Sequence, residues 1–146
     1  RPSPRTEVSR RNIYSPQRQL MTKFKFFIGG YFGTNIKIEL IKYELCFFVS
    51  DFAIDFGVNN LPTHIISIKN DPDWNKLSQF FKTVYWNSHY DNTEIMDGTQ
   101  WEIVFRCGES QLKSYGSNAY PAEFKKFIRL LNTIIKKHNL QIDISF

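Results

Sequence analysis

The chain has 146 residues, the length of one ordinary domain, and 16% of them are aromatic, which suits a compact sheet with helices packed on it. Its net charge of +5 lies almost wholly in residues 1–20, which carry +4 and leave +1 for residues 21–146, so the folded part lacks the single-sign field that attracts a polyanion. No stretch approaches the ~20 consecutive apolar residues of a membrane-spanning helix, and the N-terminus lacks the apolar region of a secretory signal. We therefore expect a soluble, cytoplasmic protein with no membrane partner.

Residues 1–20 combine prolines with Ser, Arg, Gln and Asn and show no hydrophobic period. Such a segment buries too little apolar surface to offset the entropy lost on ordering it, so we predict a disordered basic tail. Met21 stands directly before the first strand pattern, which suggests that it is the natural start and that the preceding residues are appended sequence. The alternative is a basic arm that binds nucleic acid.

Residues 21–146 are predicted to form a single domain that begins with four strands. Residues 23–28 alternate charged with aromatic positions, and residues 36–40 alternate again after a glycine-rich turn. The glycines lack the spacing of a phosphate-binding loop, so a turn is favoured. Residues 43–49 and 64–69 predict the third and fourth strands, separated by an irregular connection.

A first helix is predicted to begin at Asp71. Its side chain can accept hydrogen bonds from free backbone amides, Pro72 fits the first helical position, and Asp73 suits the positive end of the helix dipole. The following apolar residues recur every three or four positions and should face the sheet: Trp74, Leu77, Phe80, Phe81, Val84 and Tyr85. Residues 86–92 are predicted to be the helix end passing into a loop.

A hairpin and a final helix follow. Residues 101–106 alternate in hydrophobicity, residues 108–110 close a hairpin onto residues 111–115, and residues 116–118 break that second strand. Pro121 fits the first turn of a helix whose apolar face comprises Phe124, Phe127, Ile128, Leu131, Ile134 and Ile135. The cations at its end, Lys136, Lys137 and His138, suit the negative end of the dipole.

These elements predict an α+β fold, an antiparallel sheet with two helices packed on one face. The order is β-β-β-β-α-β-β-α, and residues 141–146 alternate in a way that allows a last strand.

The reactive side chains lack the spacing of a catalytic or metal site. His64, His89 and His138 form no close pair, so we expect no metal and no cofactor. Cys46 and Cys107 lie in apolar strand patterns, which favours buried free thiols over a disulfide. No nucleophile motif is present, and no catalytic residue is predicted. The enzymatic alternative is a nuclease that uses Asp97 and Glu102 with Lys113.

Two polar-aromatic segments are the best prediction of a binding surface. Tyr and Trp combine a large rigid contact area with a hydrogen-bonding group, as interfaces require. The predicted binding residues are Trp86, His89, Tyr90, Tyr115, Ser117, Asn118 and Tyr120. The alternative is a structural role. Trp86 and Tyr90 would then cover the sheet edge, and Gly116 and Asn118 would allow a backbone conformation that other residues disfavour. Base stacking by residues 23–26, or by Tyr115 near Lys113, competes with simple core packing of the rings.

The same segments carry a resemblance. The motifs are Trp86-Asn87-x-x-Tyr90, Asp97-Gly98-Thr99-Gln100-Trp101-Glu102 and Tyr115-Gly116-Ser117-Asn118-Ala119-Tyr120-Pro121-x-x-Phe124. Together they resemble a set of small, uncharacterised bacterial proteins and domains, over about residues 74–135. The resemblance implies a bacterial origin and a shared fold, and it supplies no activity.

From the sequence we therefore expect a non-catalytic interaction module that binds a protein partner through its polar-aromatic loops. The main alternative is a nucleic-acid-binding or metal-dependent nucleic-acid-processing protein, with the basic tail as one possible contact. A self-associating structural protein is a third class.

Overall fold

The computed structural model describes residues 21–30, 33–51, 61–94 and 98–146. Its seven strands are β1 (Met21–Gly30), β2 (Asn35–Ile41), β3 (Glu44–Ser50), β4 (His64–Ser67), β5 (His89–Asp91), β6 (Thr99–Cys107) and β7 (Ser110–Ser117). They form one sheet in the order β4-β3-β2-β1-β6-β7-β5. All neighbours are antiparallel except β5 and β7, which are parallel. The predicted tail, residues 1–20, lies outside the described residues.

Two helices, α1 (Pro72–Phe81) and α2 (Phe124–Lys137), pack on one face of this sheet, here called the inner face. Phe24 of β1 meets Trp74 of α1 edge-on with ring centroids 5.3 Å apart, and Phe26 meets Phe127 of α2 at 4.9 Å. The predicted α+β class, the element order and the placement of both helices on one face are confirmed.

Strand alternation explains why the core forms on this face. Trp101, Ile103 and Phe105 of β6 point inward, as their spacing predicts, and each is at most 1% exposed. Burying one large apolar side chain stabilises the fold by roughly 1.5–3 kcal/mol. Among the described residues, the buried apolar side chains form one hydrophobic cluster, which joins the inner face of the sheet to both helices.

The N-terminus of α1 is capped as predicted. Asp71 Oδ1 accepts hydrogen bonds from the amides of Asp73, at 2.9 Å, and Trp74, at 3.3 Å. The same oxygen lies 2.6 Å from Nζ of Lys137, at the C-terminal end of α2. Burial raises the pKa of Asp71, but the hydrogen bonds from Lys137 and the two amides outweigh it, so the pKa lies below its ordinary value. The hydrogen bonds that Lys137 donates to the carboxylates of Asp71 and Asp73 raise the pKa of Lys137.

The structure differs from the predicted elements at the C-terminal end of β7. Residues 89–91, predicted to be a loop, form the short edge strand β5 beside β7. The predicted break at residues 116–118 was wrong for Gly116 and Ser117, because both remain paired with β6. Gly116 is required there, since a Cβ atom would lie 2.6 Å from Nε1 of Trp101 and 2.8 Å from the carbonyl oxygen of Ala119.

The last helix begins later than predicted, and no strand follows it. α2 starts at Phe124, so Pro121 lies in the preceding turn, where its carbonyl oxygen accepts from the amide of Phe124 at 3.1 Å. The allowed strand at residues 141–146 is not formed. This segment is held on α2 instead, because the Asn132 side chain bonds both the amide and the carbonyl of Ile144.

The cysteine prediction is confirmed, since Cys46 and Cys107 are buried free thiols. Burial raises the pKa of each thiol above its ordinary value. Within the described ranges, no helix is long and apolar enough to cross a membrane.

Candidate functional site

The face of the sheet opposite the helices is here called the open face. Its outward residues on β5, β6 and β7 are mostly exposed, whereas Cys46 and Phe48 on β3 are buried. Because side chains alternate between the two faces, the strand register places outward residues of neighbouring strands side by side in rows. Adjacent residues in a row are about 4.8 Å apart, and successive rows are about 6.8 Å apart. The register therefore gives a map of the open face.

One row crosses the sheet from β5 to β2 and contains the exposed rings of His89 and Tyr115. Its members, from β5 through β7, β6 and β1 to β2, are His89, Tyr115, Glu102, Phe27 and Lys37. We call it the aromatic row. The rings of His89 and Tyr115 are stacked, with centroids 4.6 Å apart and planes inclined by 28°. Tyr115 is 49% exposed and His89 is also exposed, so the pair presents a flat aromatic surface to solvent.

The stacked pair borders a shallow hollow of about 470 Å³. Rings of the aromatic row line one part of it. Polar side chains from the first half of β6 and from the C-terminal end of β7 line another part. An aromatic surface beside a carboxylate, an amide and a hydroxyl can both pack against a partner and orient it by hydrogen bonds. The polar lining residues are Gln100, Glu102 and Ser117.

The strand β5 holds His89 against Tyr115. The amide of Tyr115 donates to the carbonyl oxygen of Ser88 at 3.1 Å. The Ser114 hydroxyl donates to the carbonyl oxygen of Asn87 at 2.6 Å, and the Tyr90 hydroxyl accepts from the amide of Asn87 at 2.8 Å. These bonds fix the segment on both sides of His89, so the stack rests on an ordered strand pair.

Three of the predicted binding residues lie on the inner side of the sheet. Trp86 is 8% exposed, and its Nε1 donates to Oε1 of Glu123 at 3.0 Å. Tyr90 and Tyr120 are half-buried, and both rings lie near Trp101, with centroid distances of 6.0 Å and 6.4 Å. These rings pack beneath the sheet, on the side opposite the His89–Tyr115 stack.

Ser117 and Asn118 lie where β7 ends. Ser117 shares the hollow with Tyr115. Asn118 has a φ of 58°, in the left-handed region that asparagine tolerates well, and its amide donates to the carbonyl oxygen of Thr99 at 2.9 Å. Asn118 thus turns the chain out of the sheet. Of the seven predicted residues, the structure brings His89, Tyr115 and Ser117 together on the open face.

A group of cations occupies the two rows next to the aromatic row. Lys25 and Lys113 lie on either side of Val104, while Lys23 and Arg106 form the following row. We call Lys23, Lys25, Arg106 and Lys113 the basic patch. All four are exposed, and Lys25 lies 4.0 Å from Glu39. Among the described residues, no carboxylate lies within 4.0 Å of the charged groups of Lys23, Arg106 or Lys113.

Arg106 and Gln100 were not predicted to be part of this surface. The missing signal was the hairpin register. Once the turn is set at Gly108, which has a φ of 60°, Arg106 must pair with Gln111 and Gln100 with Ser117. The alternation then sends their side chains to the same face as Tyr115.

The residues of the nuclease alternative fall partly on the open face. Glu102 lies between Phe27 and Tyr115, and Lys113 lies in the next row, while Asp97 is outside the described residues. Over the part of the chain that the structure describes, no group of three or more His, Cys, Asp or Glu side chains is arranged to hold a metal ion.

The chain matches no protein-family model, no curated protein and no solved structure at a significant level. The resemblance to small bacterial proteins therefore stays a prediction, and function is argued from the geometry of the open face.

Proposed function

We propose that this chain is a non-catalytic interaction module that binds a protein partner through the aromatic row. One observation carries the proposal, namely the solvent-exposed stack of His89 on Tyr115 beside the polar lining of the hollow. Tyrosine buries a large area on binding while few side-chain rotations are lost, which is why it is enriched where interfaces concentrate their binding energy. The stack is also held by an ordered strand pair, so binding need not order it first.

The seven predicted residues then have two roles. His89, Tyr115 and Ser117 make the contact, because they lie on the open face. Trp86, Tyr90, Asn118 and Tyr120 support the strands that present it, through the packing and hydrogen bonds given above. We further propose, from the resemblance and from the two free thiols, that the module acts in the cytoplasm of a bacterium.

Site-specific photocrosslinking tests this proposal. A photoreactive phenylalanine replaces Tyr115 in one variant and Tyr85 in a matched control, because Tyr85 is a tyrosine that is 95% exposed and does not line the hollow. In cells of the source organism, the Tyr115 position should give a discrete protein adduct that excess unlabelled protein suppresses. The Tyr85 position should not. Equal adducts from both positions, or none from Tyr115, would contradict the proposal.

A second function, binding of single-stranded nucleic acid, is favoured by the basic patch next to Tyr115. Phosphates would contact Lys23, Arg106 and Lys113, and a base would stack on the exposed ring. Its metal-dependent processing form would use Glu102 with Asp97. This function predicts oligonucleotide binding that weakens steeply with salt and depends on Tyr115. The protein-partner proposal predicts that any oligonucleotide binding comes from the arginines of residues 1–20 and is insensitive to Tyr115→Ala.

A further inference from the structure

The basic patch adjoins the aromatic row, so one ligand can contact both. Lys113 is two positions before Tyr115 on β7, so their side chains leave the open face about 6.8 Å apart. Lys25 stands in the same relation to Phe27 on β1. A ligand that covers the His89–Tyr115 stack and extends by two rows toward the turn between β6 and β7 therefore passes over the basic patch.

The charge on the open face changes sign along the strands. The two rows of the basic patch carry four cations, with Glu39 next to Lys25 as the neighbouring anion. Beyond them, the aromatic row carries Glu102 on β6 and Lys37 on β2, and Asp91 lies in the row after it, beside Ser117. Both carboxylates belong to exposed residues. On β5, β7 and β6, where the His89–Tyr115 stack lies, the face therefore has a basic end and a weakly acidic end.

This polarity distinguishes between two polyanions. A single-stranded nucleic acid carries a negative charge at each nucleotide, so a strand on the stack would place phosphates near Glu102 and Asp91 as well as near the cations. A peptide can concentrate its carboxylates at one end and present neutral or apolar side chains to the stack. The neighbouring carboxylates therefore favour a peptide.

We propose that the basic patch is the docking site for an acidic segment of the protein partner, whose adjoining residues cover the His89–Tyr115 stack. This inference rests on the proposed function and adds the chemistry of the partner. Carboxylates in the segment would pair with Lys23, Arg106 and Lys113, which have no ion-pair partner among the described residues. Such exposed pairs act mainly on the association rate and on selectivity, and they weaken with salt.

Amide NMR on the full chain tests the inference with three defined probes, namely an octaglutamate peptide, an octalysine peptide and an oligothymidylate. A residue-resolved readout is needed because residues 1–20 carry a net charge of +4 and also attract anions. Octaglutamate should shift the amides around Lys23, Lys25, Arg106 and Lys113, whereas octalysine should leave them unchanged. The shifts should shrink as salt is raised from about 50 to 300 mM.

Two double variants supply the matched comparison. Arg106→Glu with Lys113→Glu reverses two cations of the patch, and Lys76→Glu with Lys125→Glu reverses two exposed cations on the helices. Both change the net charge equally. The first should weaken octaglutamate binding at the patch about tenfold, and the second by less than about twofold. Thermal unfolding of both variants checks that the fold is retained, and Lys113→Gln provides a milder change if the reversals unfold the chain.

Each other outcome overturns the inference. Tighter binding of the oligothymidylate at the same amides would assign the patch to nucleic acid. A dimer mass in light scattering that the patch variant abolishes would assign it to a second copy of the chain. If octaglutamate caused no amide shifts, or shifts scattered over the chain, the basic patch would not be a docking site. A discrete adduct at Tyr115 together with no octaglutamate binding would leave the proposed function standing and defeat only the acidic segment.

Discussion

Nζ of Lys137 lies 2.6 Å from Oδ1 of Asp71, and this contact joins the C-terminal end of α2 to the N-terminal end of α1. The same lysine lies 2.8 Å from Oδ2 of Asp73, and Nε2 of His138 lies 3.5 Å from the second oxygen of Asp71. Asp71 therefore caps one helix and binds the end of the other. It links the two helices that cover the inner face.

Removing the Asp71 carboxylate should lower stability. Asp71→Ala loses the cap and the contact with Lys137, and we expect a loss of about 2 kcal/mol in the free energy of unfolding. Asp73→Ala is the matched control, because it removes one Lys137 contact and keeps the cap, and it should cost about 0.5 kcal/mol or less. Urea unfolding measures both. Equal losses would contradict the larger contribution assigned to Asp71 through its cap and its contact with Lys137.

The lowered pKa of Asp71 predicts a specific dependence on acid. The unfolded chain binds this proton more readily than the folded chain, so the contribution is fully present above the unfolded value of about 3.9 and is lost as pH falls through the folded pKa. Lys137 and His138 place titratable groups within 4.0 Å of this carboxylate, and Lys137 also contacts the carboxylate of Asp73. Urea unfolding from pH 5 down to pH 2.5 should show a steeper loss in the wild type than in Asp71→Asn. Parallel curves would contradict the assignment.

Gly116 should not tolerate a methyl group. In Gly116→Ala, the new Cβ would lie 2.6 Å from Nε1 of Trp101, whose indole is fixed by its 2.9 Å bond to the carbonyl oxygen of Ala119. We expect a loss of about 1–3 kcal/mol in the free energy of unfolding. Ser117→Ala, the next residue on the same strand, should change it by less than about 0.5 kcal/mol. An unchanged melting temperature for Gly116→Ala would mean that Trp101 does not lie over this position.

The two thiols should be protected in the folded chain. Cys46 is 4% exposed and Cys107 is 1% exposed, and burial raises the pKa of both. Reaction with a thiol reagent at pH 8 should be at least about a hundredfold slower for the native protein than for the protein in denaturant. Cys46→Ser and Cys107→Ser assign the rates to individual residues. Rapid modification of either native thiol would contradict its burial.

Much of the fold could be predicted because local and tertiary preferences agree. The Asp71-Pro72-Asp73 start and the alternation of residues 101–106 each determine an element without help from distant residues. The three residues of β5 are too few to show a period, and the strand exists because backbone bonds to β7 hold it. Its formation depends on a tertiary contact that the local pattern does not encode.

The proposed binding surface was harder to predict, because Trp86 and Tyr115 both lie in polar-aromatic segments. Trp86 follows the end of α1 and turns into the core, where its ring lies 6.0 Å from that of Phe81. Tyr115 is on a strand whose inward positions are taken by Leu112, Ser114 and Gly116, so its ring must face outward. Alternation within β7 carries that information, but the orientation of Trp86 depends on packing between elements.

The most direct test of the proposed binding surface uses the protein that crosslinks at position 115. Its affinity is measured for two alanine variants of the chain. Tyr115→Ala should weaken binding about tenfold or more, because an aromatic residue at the centre of an interface commonly contributes over 1 kcal/mol. Tyr85→Ala should change the affinity by less than about twofold, and both variants should melt near the wild-type temperature. Unchanged affinity for a folded Tyr115→Ala variant would contradict the assignment of the aromatic row as the binding surface.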